Sequence, residues 1–167
     1  MESNFPPHME TYFQDKENGF VFVSKLNKEK EVNENIRMAG FLAKKTNENI
    51  FILPHIQPTH KEAQKLRNEY FPKGVKHNKN PDFFFKNRFV DAKSMNHSEL
   101  NTQKLTKRNI QNRLKEAFIQ ADDAYLETPT SFPVNWVIEA IKGKLNSTSH
   151  YHIVYLRHGD NLIIIEP

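Results

Sequence analysis

The segment Lys79 to Lys93 reads KNPDFFFKNRFVDAK, and it limits the chain more than any other stretch. Two apolar runs stand on either side of Lys86-Asn87, and asparagine tolerates the left-handed backbone that a two-residue hairpin turn requires. With the turn there, Phe85 faces Arg88, Phe84 faces Phe89, Phe83 faces Val90 and Asp82 faces Asp91. Side chains alternate along a strand, so Asp82, Phe84, Phe89, Asp91 and Lys93 share one face and Phe83, Phe85 and Val90 share the other. A slip of one residue would exchange the two sets. Two carboxylates opposite each other repel, and a cation must offset them.

The rest of the chain sets the frame for this hairpin. No cysteine is present, which removes disulfides, thiolate zinc sites and a cysteine nucleophile, so packing must supply the stability. The 167 residues are 37% hydrophobic and 26% charged, enough for one ordinary core. No apolar run approaches the roughly 20 residues of a membrane span, and the first residues lack the pattern of a signal sequence; a cytoplasmic monomer without a membrane partner is expected. Charge is uneven. Between Gln57 and Lys115 there are 14 Lys and Arg against 5 Asp and Glu, whereas the remainder is net acidic. Such a cationic middle suits a polyanion, because phosphates neutralised by Lys and Arg release counterions; a solvated lysine-rich surface would look the same.

Hydrophobic periodicity places the elements. Residues 1–9 read as a flexible tail, and residues 10–167 as one domain. Tyr12-Phe13 and Phe20 to Val23 flank an Asn18-Gly19 turn signal, which predicts a hairpin. Val32, Ile36, Ala39 and Ala43 have helical spacing, and Ile50 to Leu53 before Pro54 reads as a buried strand. His55 to Lys79 is mostly polar, with a weak helical pattern at Ala63, Leu66 and Tyr70, and is read as an irregular basic excursion. Past the hairpin and a polar loop from Ser94 to Thr106, Ile110, Leu114, Ala117, Phe118 and Ala121 form a helical stripe. A strand at Ala124 to Leu126, a helix opened by Pro133 and a terminal hairpin around residues 157–161 complete the chain. The expected fold is α+β, a mixed and mostly antiparallel sheet packed with about three helices.

Two kinds of cation can complete the charge cluster. A divalent metal such as Mg²⁺ would take Asp82 and Asp91 as oxygen ligands, with Lys93 orienting water for phosphodiester hydrolysis. Alternatively, Lys93 with a neighbouring arginine works without metal. One group then takes the proton of a ribose 2′-hydroxyl, and the cation stabilises the charge developing at phosphorus. A salt-bridged hairpin end with no chemistry is the plain alternative.

Several segments resemble a known family. Ala39 to Lys45 with Ile50 to Pro54, then Lys79-Asn-Pro-Asp with Val90-Asp-Ala-Lys, then Ile110 to Asp122 occur in the order seen in C-terminal tRNase domains of contact-dependent growth inhibition toxins, grouped with the barnase, EndoU, colicin and RelE-like nucleases. The resemblance spans about Phe20 to Pro167. It implies a small α+β fold, cleavage of RNA directed at tRNA by the family's habit, no obligatory metal cofactor, and a cognate immunity protein as partner. Residue by residue, Asp82 matches the aspartate after proline, Asp91 the acidic position and Lys93 the lysine two residues on. Pro81-Asp82 with Asp91-Ala92-Lys93 also resembles the PD-(D/E)xK nucleases, which implies Mg²⁺ held by Asp82 and Asp91.

Other residues complete the candidate set. Asn109, Arg113, Glu116 and Gln120 lie along one flank of the helical stripe. Arg113 is the candidate for phosphate contact, since a guanidinium fork matches phosphate oxygens; pairing with Glu116 is its structural alternative. Lys76, Lys79, Arg88, Lys107 and Arg108, with Asn109 and Gln120, are the candidates for binding nucleic acid. His150 and His152 share a strand face without a third ligand spaced to join them, and His55 follows a strand end where a general base can sit. A non-catalytic nucleic-acid-binding or interaction module is the reading from another functional class.

Overall fold

The computed structural model describes residues 6–15, 18–27, 29–71, 79–96 and 105–167. In chain order the elements are β1 (Met9–Asp15), β2 (Asn18–Ser24), α1 (Glu29–Thr46), β3 (Ile50–Ile52), α2 (Ala63–Tyr70), β4 (Phe83–Phe85), β5 (Arg88–Ser94), α3 (Lys107–Gln120), β6 (Asp123–Thr128), α4 (Val134–Leu145), β7 (Val154–His158) and β8 (Asn161–Ile165). The fold is α+β, and its eight strands form a mixed sheet in chain order. The helix beyond the expected three is α2, in the segment read as irregular. Contacts gather into two compact units, Met1–Phe89 and Val90–Pro167.

In the first unit, β1 and β2 are antiparallel, β2 and β3 parallel, and β3 and β4 antiparallel. The parallel step needs a crossover, and α1 supplies it. Val21, Ile50, Ile52, Phe83 and Phe85 are buried on one side of these strands; Val32, Met38, Ala39, Leu42 and Ala43 are buried residues of α1. Asn47, with φ 55°, ends α1 in the left-handed conformation while its N–H reaches back to the Ala43 carbonyl at 2.8 Å. Alternation puts the remaining phenylalanines on the opposite side, where rings meet across strands. Phe22 stacks on Phe51 at 4.9 Å and Phe84 meets Phe89 at 5.4 Å between centroids. The Phe22 and Phe51 planes lie 14° apart, so the rings stand upright and face each other, as cross-strand stacking requires.

The expected two-residue turn is present. Lys86 has φ 48° and Asn87 φ 60°, left-handed at both central positions as the mirror-image type I turn demands. The other turn signal misleads. Asp15 pairs with Asn18, so β1 and β2 are joined through residues 16 and 17, which lie outside the described residues, and Gly19 sits in β2. Glycine is required there for another reason: a Cβ would collide with the Glu48 backbone. Likewise Met9 belongs to β1 and not to the expected tail.

In the second unit, β5, β6 and β7 are parallel and β8 returns antiparallel. The sheet is mixed, as expected, and α3 and α4 are the crossovers of this parallel run. Thr106 caps α3 by accepting from Asn109 N–H at 3.1 Å, and Asn109 Oδ1 accepts from Thr106 N–H at 3.0 Å. Pro133 stands at the start of α4. Ile110, Leu114 and Ala117 of α3 and Val137, Ala140, Ile141 and Leu145 of α4 pack with Ala124, Leu126, Val154, Leu156 and Ile165. Trp136 is partly buried beside this core and stacks on Phe132 at 5.6 Å.

Gly40, in the middle of α1, is the counterpart of Gly19, because an added Cβ meets nothing within 4 Å. Gly19→Ala should therefore destabilise by about 1–3 kcal/mol through overpacking. Gly40→Ala should stabilise by about 0.5–1 kcal/mol through helix propensity. Urea unfolding midpoints that move in opposite directions for the two variants check both expectations.

Candidate functional site

Strand β5 carries the charged pair that the sequence singled out. Asp91 is in register with Ala124 and Lys93 with Leu126, so both side chains lie on the face of β6 that packs against α3 and α4. Their spacing of two residues brings them together: Lys93 Nζ is 2.6 Å from Asp91 Oδ2. The two ends of the pair differ in access. Asp91 is 3% exposed, whereas the Lys93 side chain is 24% exposed. Burial makes the pair an all-or-none arrangement, since removing either member strands the other; loss of one partner of a buried pair costs about 3–5 kcal/mol. A charge fixed in this way, on a side chain that is still partly exposed, can stabilise an anion without reorganising.

The opposite face of the same strands holds a polar network that the sequence reading did not weigh. Glu127 is fully buried; its Oε1 accepts from the Tyr125 hydroxyl at 2.9 Å and from Arg157 NH1 at 3.1 Å, and its Oε2 accepts from Ser94 Oγ at 3.4 Å. Arg157 Nε also donates to the Gly159 carbonyl at 3.1 Å. Next along, Thr128 and His158 meet through Oγ1 and Nδ1 at 3.1 Å. Lys93, Ser94, Glu127, Thr128, Arg157 and His158 thus stand at the carboxyl ends of three parallel strands, the edge where open α/β sheets bind ligands. The signal available in the sequence is the alternation Asp123, Tyr125, Glu127 around the apolar Ala124 and Leu126, which asks for a cation on the next strand.

The remaining candidates are more dispersed. Arg113 pairs with Glu116 at 3.1 Å on an exposed helix face, the intrahelical alternative. Lys107 meets Glu139 at 2.7 Å, which holds the Glu139 carboxyl below its ordinary range, and Asn109 is engaged in the helix cap. Arg108 is exposed, and Gln120, at the end of α3, is half-buried. In the first unit, Lys79 gives its carbonyl to Arg67 NH2 at 2.7 Å, and Arg88 opens β5 half-buried. Lys76 lies outside the described residues. His152 stacks on Phe118 at 4.0 Å and bonds the Asp122 carbonyl, a packing role, with His150 beside it. Among the described residues no group of three or more His, Asp or Glu side chains gathers to hold a metal ion. None of the described helices is long and apolar enough to cross a membrane.

Asp82 belongs to the first unit and immediately precedes β4. Its Oδ1 accepts from Asn35 Nδ2 at 3.2 Å, and its carbonyl accepts from Leu53 N–H at 2.9 Å. It lines a cleft of about 380 Å³ with Asn27, Asn35, His55 and Asn80. Comparison with family models, with curated proteins and with solved structures finds no match.

The network around Glu127 has a measurable pH signature. Burial, reinforced by the charge of Glu127 and by the hydrogen bond to it, pushes the Tyr125 hydroxyl well above its ordinary value of 10.0. Folding therefore favours the neutral tyrosine. Its contribution is complete below about pH 10 and is lost as pH rises toward the higher folded value. Tyr125→Phe should lose about 1–3 kcal/mol at neutral pH because Glu127 forfeits a donor. Denaturant titrations should show that deficit shrinking above pH 10.

Proposed function

We propose that the chain is an endoribonuclease that cleaves the phosphodiester backbone of RNA, with tRNA the favoured substrate and a toxin-like role. The observation that carries this reading is the Lys93 ammonium held 2.6 Å from a carboxylate that is itself 3% exposed. Asp91 is too enclosed to meet a substrate hydroxyl and acts as a positioning residue. Lys93 is the group that reaches outward. In the reaction proposed, a base removes the 2′-hydroxyl proton and the 2′-oxygen attacks phosphorus. The bond to the 5′-oxygen then breaks, and that oxygen leaves with a proton. Lys93 stabilises the extra negative charge at phosphorus during this exchange. The cationic stretch from Gln57 to Lys115 supports a polyanionic substrate, and the resemblance to growth-inhibition tRNase domains supports tRNA and a cognate immunity protein as partner.

The test is cleavage of total tRNA, with the new ends identified. Transesterification leaves a 2′,3′-cyclic phosphate and proceeds in EDTA; hydrolysis assisted by Mg²⁺, the second family's chemistry, stops in EDTA and leaves no cyclic phosphate. Because Lys93→Ala strands Asp91, the informative variant is the double substitution Asp91→Asn with Lys93→Met. It should stay folded by circular dichroism and lose at least about 100-fold in cleavage rate, the scale of one lost charge-stabilising donor. Undiminished cleavage by that variant would remove Lys93 from the chemistry.

A further inference from the structure

The first unit contains two adjoining clefts whose chemistry differs from that of the charged pair. One, of about 370 Å³, is lined by Leu26, Pro54, Ile56, Leu66 and His60; the other, of about 380 Å³, by Asn35, Asn80 and Asp82; Asn27 and His55 line both. Their place follows from topology. Leu26 and Asn27 follow β2, and Leu53 to Ile56 follow β3, so the clefts open at the carboxyl ends of the parallel pair that α1 connects. That is the crevice where parallel strands receive ligands.

The walls are set before any ligand arrives. Asn80 Oδ1 accepts from Ile56 N–H at 3.0 Å and from Arg67 NH1 at 3.3 Å, and Asn35 holds Asp82. Within this ordered surround Asn27 is the exception: its Nδ2 is buried and meets no hydrogen-bond partner among the described residues. A buried donor left without a partner costs about 1–3 kcal/mol, and folded chains rarely keep one without a use. No Lys or Arg is among the described residues lining either cleft, so a phosphate would find no counter-charge there. Amide donors, amide oxygens and the carboxylates of Glu34 and Asp82 instead suit an uncharged planar group with donors and acceptors on one edge. The neighbouring cleft mixes Leu26, Pro54, Ile56 and Leu66 with the rings of His55 and His60, and that apolar and ring surface suits the face of a second such group.

We infer that these clefts bind two consecutive unpaired nucleobases of RNA, one read along its hydrogen-bonding edge by Asn27 and Asp82, the other stacked against the apolar side chains of the neighbouring cleft, with His55 between them. Each cleft has the volume of a small-ligand site, above the roughly 300 Å³ at which such sites begin. The inference rests on the nuclease reading for its choice of RNA, and it gives that reading a substrate feature: unpaired nucleotides, as in a loop or a single-stranded end.

Binding can be measured apart from cleavage with fluorescent single-stranded 2′-O-methyl oligonucleotides, which lack the attacking hydroxyl, in EDTA. The full chain should bind them with an affinity that depends on base identity. An otherwise identical oligonucleotide with abasic sites should bind at least about tenfold more weakly, the value of one good hydrogen bond. Asn27→Ala should cause a loss of similar size while the melting temperature stays level or rises, because the removed donor meets no partner among the described residues. A residue with a purely structural role would lower the melting temperature instead. The inference is overturned if abasic and intact oligonucleotides bind alike, or if Asn27→Ala binds as wild type. Base-dependent binding with total tRNA left intact would keep the clefts and remove the nuclease; cleavage with base-independent binding would do the reverse.

Discussion

The turn at Lys86-Asn87 is the constraint on which the neighbouring strands depend. Both residues adopt positive φ without being glycine, which for lysine costs about 1–2 kcal/mol. Lys86 has two compensations: its ammonium lies 5.5 Å from the centre of the Phe85 ring and 3.7 Å from Glu48 Oε1. With the chain reversed in two residues, parity on β4 and at the start of β5 is fixed. Phe83 and Phe85 enter the core, Phe84 and Phe89 meet on the other side, and Asp91 and Lys93 inherit their face from Phe89. A third turn residue would invert the faces of β5 relative to those of β4.

From that parity the pattern of charges in β5 follows. Strand residues beside a helix-covered core are ordinarily apolar, and Val154, Leu156, Ala124 and Leu126 obey the rule. Asp91 and Lys93 break it at two successive inward positions. A buried ion pair is a poor source of stability, since apolar residues of similar volume would serve as well or better. The departure is of the same kind as the Asn27 Nδ2, buried with no hydrogen-bond partner among the described residues. Local rules fail where a chain has something other than folding to do.

What the sequence revealed depended on how local the signal was. The Lys86-Asn87 turn, the stripe of α3 and Pro133 at the head of α4 are each written within a few residues, and the structure has them. Gly19 was misread because the Glu48 backbone it must clear lies far away in sequence; a dipeptide that signals a turn and one that permits close approach look the same. The parallel run of β5 to β7 is not written locally for a similar reason, as strand direction is a property of the crossovers. Of the charge cluster, only the Asp91-Lys93 pair was readable from spacing along one strand. Glu127 and Arg157, 30 residues apart, meet through β6 and β7 pairing, which no local pattern announces.

The stacking of Trp136 on Phe132 also has an optical side. It is the chain's single tryptophan, and it lies in the Val90–Pro167 unit against the core of α3 and α4. Fluorescence excited at the indole band is thus a private channel to that unit, whereas the amide signal sums helices and strands from the whole chain. Melting curves recorded in the two channels weigh the molecule differently, and agreement between them is a statement about cooperativity rather than a duplicate of one measurement.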